Sequence, residues 1–173
     1  MLGPEHPDTL ISMANFARTY SDQGKYKKAE ELELKVLDLC KRVLGPEHPK
    51  ALKSMGNLAA TYSYQGKYEE AEELELKVLD LHKKVLGPEH PDTLTSMNNL
   101  AATYSHQGKY EEAEALQLKV LDLCKKVLGL EHPKTLSRIS YLATIYVSQG
   151  KYEEAEQLEM EVSKSGKPEN LAN

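Results

Sequence analysis

The sequence predicts an all-α protein, a solenoid of four antiparallel helix hairpins, and three observations carry that prediction. The chain repeats with a period of 42 residues, with Gly3, Gly45, Gly87 and Gly129 opening the copies, and the second and third copies agree at 34 of 42 positions. Each copy contains two segments with apolar residues at helical spacing. Only a short glycine-containing turn separates the two segments, which forces the second helix back along the first. A fixed period of this size means stacked units, each covering its neighbour's apolar face.

The third copy, GPEHPDTLTSMNNLAATYSHQGKYEEAEALQLKVLDLCKKVL, shows each element. Leu94, Met97, Leu100, Ala101 and Tyr104 lie at i, i+3, i+6, i+7 and i+10, one face of a helix of about 16 residues. Pro91 suits its first turn, Glu89-His90 gives a polar lead-in, and Gln107-Gly108 ends it. The second helix starts at Lys109 or Tyr110 and runs to Leu128, its apolar face formed by Tyr110, Ala113, Leu116, Val120, Leu121, Leu123, Val127 and Leu128. Glu111 and Glu112 in its first turn and Lys125 and Lys126 in its last suit the helix dipole. The repeats are thus 3–44, 45–86, 87–128 and 129–162, the last with a truncated second helix, and residues 163–173 read as a polar tail.

Composition narrows the function. The net charge is −5 with both signs interspersed and no basic block, which argues against nucleic-acid binding. The start, Met1-Leu2-Gly3-Pro4, carries no signal-peptide pattern and no apolar run reaches a membrane span, so a soluble, cytoplasmic protein is expected. Cys40 and Cys124 share one register position two repeats apart, about 20 Å at usual helix spacings, too far for a disulfide, and read as free thiols of a reducing compartment.

Leu100-Ala101, Tyr104, Gly108, Tyr110 and Ala113 stand at the spacing of the tetratricopeptide repeat (TPR) signature. The set recurs in the other copies, as Leu58-Ala59, Tyr62, Gly66, Tyr68 and Ala71 in the second. Alanine and glycine let helices approach closely while tyrosine and leucine fill the adjoining space. With its 42-residue period and the wording GPEHPDTL, NNLA and GKYEEAE, the chain most resembles the kinesin-light-chain type of TPR, as found in near-identical fungal arrays. The resemblance implies a right-handed solenoid, helices about a turn longer than in the usual repeat, and a concave groove that holds extended or helical peptides. It also implies a larger parent protein. Met13, Met55, Met97 and Ile139 stand where the family has an aromatic, a softer filler the fold is expected to accept.

Differences between the copies mark where the fold leaves choice. On the first helix of each hairpin they fall on one stripe, at i, i+3, i+7 and i+11. The stripe reads Ile11, Lys53, Thr95, Ser137; then Ala14, Gly56, Asn98, Ser140; then Arg18, Ala60, Ala102, Thr144; then Asp22, Tyr64, His106, Ser148. Asn15, Asn57 and Asn99 lie beside it. The resemblance places this stripe in the groove, where the asparagines would hold a ligand's backbone and the varied residues would select its side chains. A merely exposed stripe would vary as well. Arg18 and Lys53 are the groove cations legible here, so the family's paired Lys and Asn clamp for acidic C-termini is not expected.

No catalytic, metal or cofactor site is expected. His6, His48, His90 and His132 recur as Glu-His-Pro, one per repeat, about 10 Å apart and too far to share an ion. Glu69, Glu70, Glu72 and Glu73 sit at a helix N-terminus, where carboxylates are ordinarily stabilising. No phosphate loop, nucleophile elbow or Cys-x-x-Cys occurs. The expected function is therefore non-enzymatic protein or peptide binding, the partner unidentified. The alternative is a structural or folding-model array without its own ligand, and poorly capped end faces raise the prospect of self-association.

Overall fold

The computed structural model describes residues 6–165, and within them the chain is helical throughout, without strands. The eight helices are α1 (Pro7–Asp22), α2 (Tyr26–Leu44), α3 (Pro49–Tyr64), α4 (Tyr68–Leu86), α5 (Pro91–His106), α6 (Tyr110–Leu128), α7 (Pro133–Ser148) and α8 (Tyr152–Ser165). Every hairpin thus pairs a 16-residue first helix with a longer second one, except that α8 has 14 residues. Ser163, Lys164 and Ser165, read from sequence as tail, continue α8, because none of the three breaks a helix. Gly3, the expected start of the first repeat, and residues 166–173 of the expected tail lie outside the described residues.

The hairpin turns are Schellman motifs. Lys67 N–H donates to Tyr62 O at 2.9 Å and Gly66 N–H to Ser63 O at 3.0 Å, and the same pair of bonds recurs at Gly24, Gly108 and Gly150. Gly66 has φ +75, the left-handed conformation the motif requires. The glycine after each longer helix is more constrained: Gly87 has φ 90 and ψ 164, a region open essentially to glycine alone. A Cβ would meet nothing within 4 Å at either position, so substitution there tests the backbone in isolation. Gly66→Ala should cost about 1 kcal/mol and Gly87→Ala about 2–3 kcal/mol in urea unfolding; equal losses would contradict this assignment.

The linker histidines cap the helix that follows. His48 Nδ1 accepts from Lys50 N–H at 3.1 Å, with Pro49 at the first helical position. His90 accepts from Asp92 N–H and His132 from Lys134 N–H, each at 3.1 Å. The Glu-His-Pro lead-in is therefore an N-cap in which Nδ1 is the acceptor.

The chain divides into two compact units between Ser96 and Met97. In the first, Leu37, Leu52, Met55, Leu58 and Val78 form one buried cluster, and Leu10, Val36, Cys40 and Ala51 another. In the second, Leu121, Ile139 and Leu142 are buried, with Leu136, Tyr146, Leu158 and Val162 packed on them. Ala59, Ala71, Ala101 and Ala113 are fully buried at the helix crossings, the contacts that only small residues allow. Met55, Met97 and Ile139, in place of the family's aromatic, are buried as well.

Adjacent hairpins are tied by a clamp that recurs. Gln65 Nε2 donates to Glu30 Oε2 at 2.8 Å, Lys67 Nζ reaches the same oxygen at 3.0 Å, and the Lys67 ammonium lies over the Tyr62 ring. Gln149 and Lys151 repeat this on Glu114 in the second unit. Burial pushes the Glu30 carboxyl up, but the bonds from Gln65 and Lys67 outweigh it and hold the group below its ordinary range. That contribution to stability is present above the ordinary glutamate range and is lost as pH falls through the lowered value.

Candidate functional site

The residues singled out by variation between copies converge in the first unit. Ile11, Asn15, Arg18 and Asp22 on α1, with Lys53, Asn57 and Tyr64 on α3, all line one groove of about 440 Å³. Six of the seven are exposed and Asn57 is half-buried. The i, i+3/i+4, i+7, i+11 spacing on each helix is what aligns them, because α1 and α3 are parallel first helices of consecutive hairpins. Arg18, Asp22 and Lys53 make no ion pair among the described residues.

The groove's deep wall was missed from sequence, because α2 supplies it. Glu33, Val36 and Cys40 of α2 line the groove below α1 and α3. Glu33 is 6 % exposed, and burial raises its carboxyl above the ordinary range, opposed by a hydrogen bond from the Thr61 hydroxyl. Its Oε2 has no hydrogen-bond partner. The signal was present: Ala29, Glu33, Val36, Leu37 and Cys40 form one buried face, and a single carboxylate interrupts it. Lys50 also lines the groove, so the expectation that Arg18 and Lys53 are its only cations is corrected to three. Lys50 escaped notice because it lies in the first turn of α3, outside the varied stripe.

Tyr64 forms the groove's exposed lip, and the Tyr26 ring stacks on it with centroids 5.4 Å apart and planes 16° apart. Tyr26 begins α2, so a residue shared by every repeat as a fold position supports one that is unique to this groove.

The remaining candidates are less free to act on a ligand. Thr95, exposed on α5, donates to Pro91 O at 2.9 Å and is not among the residues lining the groove. In the second unit, Asn98 Oδ1 accepts from Arg138 Nη1, a partner the sequence reading did not foresee. Ser140 and Thr144 are exposed but donate to Leu136 O and Ser140 O, back onto their own helix. Asn99 and His106 are exposed on α5. Tyr141, at the register of those asparagines in the fourth copy, instead donates to Ser105 Oγ at 3.3 Å.

The register of the buried thiols carries a titratable departure in the second copy. Cys40 accepts from Ser54 Oγ at 3.8 Å, whereas His82, in its place, has Nδ1 2.8 Å from Ser96 Oγ. Both cysteines are free and buried. Burial lowers the His82 pKa, with the Asp92 charge opposing. The folded state therefore binds fewer protons than the unfolded chain just below the usual imidazole value of about 6.5, and stability falls as pH drops through that window. His82→Cys should flatten the stability profile there and leave the decline in the carboxylate range intact. A slope near pH 6 that survives the substitution, in urea titrations at several pH values, would locate it elsewhere.

Against known proteins, the tetratricopeptide repeat profile matches residues 9–50, 51–92, 93–134 and 135–164 in succession. The chain belongs to the tetratricopeptide repeat family. The matched windows keep the 42-residue period and begin six residues after the glycines. Among solved structures, the nearly identical TPR-like repeats of a Podosopora anserina putative kinesin light chain are 35% identical. They superpose with a TM-score of 0.83 over 95% of this chain and 78% of that one, and a variant of the same repeats superposes with a TM-score of 0.85. BtubC (BKLC) from P. vanneervenii, at 19% identity, has a TM-score of 0.83 over 97% of this chain and 69% of that one, a likeness of fold. The apo form of RapI shares the fold too, at 15% identity and a TM-score of 0.76 over 90% and 55% of the two chains. No curated protein sequence matches significantly. The fold is thus a TPR-like α-solenoid of kinesin-light-chain-like repeats. Among the described residues no helix is long and apolar enough to cross a membrane, and no group of His, Cys, Asp or Glu could hold a metal ion.

Proposed function

We propose that this chain is a non-enzymatic scaffold that holds a segment of a partner protein in the groove between α1 and α3. One observation carries the reading: seven residues chosen only because they lie on or beside the stripe where the copies differ line a single groove. Drift on any exposed stripe would produce variation, but it would not put unpaired charges, an amide pair and a supported aromatic around one cavity whose deep wall sets a single carboxylate among apolar atoms. Such a mixture of apolar wall and few polar groups is what binding sites share. The buried free thiols favour a reducing, cytoplasmic setting. The test is capture of peptides from a phage-displayed random library by the intact chain and by R18A/K53A/Y64A. Enrichment on the first alone supports recognition in the groove, whereas no enrichment on either returns the chain to a structural array without its own ligand.

A second reading, self-association, is favoured by α1. Phe16 is 63 % exposed, while Leu58 and Leu142, at the same register, are 2 % and 1 % exposed. The face of α1 that carries Phe16 is suited to a second copy of itself, since α8 presents exposed Glu159 and Ser163 where α2 has Glu33 and Leu37 buried. Sedimentation equilibrium should show concentration-dependent dimers that Phe16→Glu abolishes. A strict monomer at all concentrations would remove this reading.

A further inference from the structure

We infer that the groove selects a partner segment with a lysine or arginine side chain, whose charged end is received by Glu33 on the groove floor; this rests on the peptide-binding reading above. Glu33 is the only charged residue buried in the groove, for Arg18, Asp22, Lys50 and Lys53 are all exposed. One of its carboxylate oxygens is taken by Thr61 and the other, Oε2, has no donor. A carboxylate left half-satisfied away from water is costly, and a cationic N–H donor removes that cost most effectively, since it brings both the hydrogen bond and the opposite charge.

The walls fit the same occupant. Leu10, Ala14, Val36 and Ala60 line the groove with apolar atoms suited to the methylene stem of a basic side chain. The three cations reach into water, where their repulsion is screened, while attraction to the floor carboxylate acts in a less polar setting. They are placed to take carboxylates or carbonyls of the flanking segment instead.

The repeats supply their own control. The register of Glu33 is Gln117 in the third copy, and that of Thr61 is Ile145 in the fourth. Gln117 is fully buried and donates from Nε2 to Arg138 O, so an amide at this position is compatible with the fold. Where the hydroxyl is lost, on α7, the carboxylate on the preceding helix is lost with it.

The experiment selects the random peptide library in parallel on the intact chain, on E33Q and on R18A/K53A/Y64A, then measures the affinity of the consensus peptide. The expected result is a lysine or arginine at one fixed position on the wild type, absent from the E33Q selection, with the wild-type consensus binding E33Q at least about tenfold more weakly. A consensus without a basic residue, or the same consensus and affinity on E33Q, overturns the role of Glu33 while leaving the groove reading standing. No enrichment above R18A/K53A/Y64A overturns both. Should E33Q fold poorly by circular dichroism, E33Q/T61I, which reproduces the Gln117 and Ile145 pair, gives the same comparison.

Discussion

Leu58→Ala should lower the unfolding free energy by about 2–5 kcal/mol, because it removes a fully buried side chain and leaves a cavity in the core. Leu58 is one of the largest fully buried side chains and belongs to the cluster of Leu37, Leu52, Met55 and Val78, which come from α2, α3 and α4. Truncating it therefore weakens a hairpin and its junction with the preceding helix together, and in a repeat array those are the two terms that sum to stability. Phe16→Ala is the matched control. It removes a larger side chain at the same register, yet from an exposed site, and at concentrations where the chain is monomeric it should shift stability by less than about 1 kcal/mol. Urea unfolding of both variants decides the matter, and comparable losses would mean that burial does not differ between the two positions.

The second large effect is on binding. Replacing Arg18, Lys53 and Tyr64 together by alanine should weaken a groove-selected peptide by about 2 kcal/mol or more, roughly 30-fold. Arginine and tyrosine are residue types that dominate interface energetics, and here the tyrosine is held in place by Tyr26 before any ligand arrives. All three side chains are exposed, and no ion pair or buried cluster of the fold depends on Arg18 or Lys53 among the described residues. The variant should therefore lose no more than about 0.5 kcal/mol at each of Arg18 and Lys53, and about 0.5–1.5 kcal/mol at Tyr64 from the stack on Tyr26. A binding loss accompanied by a larger loss of stability than these would point to damage instead of recognition.

The sequence made most of this fold legible because its signals agree at every level. Gly66 and Gly108 end helices where the apolar period stops, Lys and Glu sit at the ends the dipole favours, and the 42-residue period repeats these readings from copy to copy. What escaped it involved contacts between helices. The clamp of Glu30 by Gln65 and Lys67 joins residues 35 and 37 positions apart, a spacing that no local pattern encodes. The histidine cap was visible only as polarity before a proline, since the Nδ1 bond to a backbone N–H depends on the angle at which the chain enters the helix. α8 outlasted its apolar pattern because Ser163, Lys164 and Ser165 are not helix breakers.

The groove was half legible for the same reason. Variation between copies found the residues of α1 and α3 that face outward, where packing leaves the choice open. It could not find Glu33, whose burial and neighbours hold it to a narrow set of side chains, so that it changes little from copy to copy: Glu33, Glu75, Gln117 and Glu159. Lys50 was overlooked because the stripe on α3 begins three residues later. Phe16 carried no warning either, since it is a large apolar side chain like the leucines that replace it elsewhere.

The most direct test of the groove as the recognition surface is site-specific photo-crosslinking. A benzophenone amino acid placed at Ala60, in the groove, and separately at Leu34, exposed on α2 outside it, would be illuminated with a peptide selected by the wild-type chain. The account predicts a covalent adduct from position 60 and none from position 34. An adduct from position 34 alone would place recognition outside the groove and contradict it.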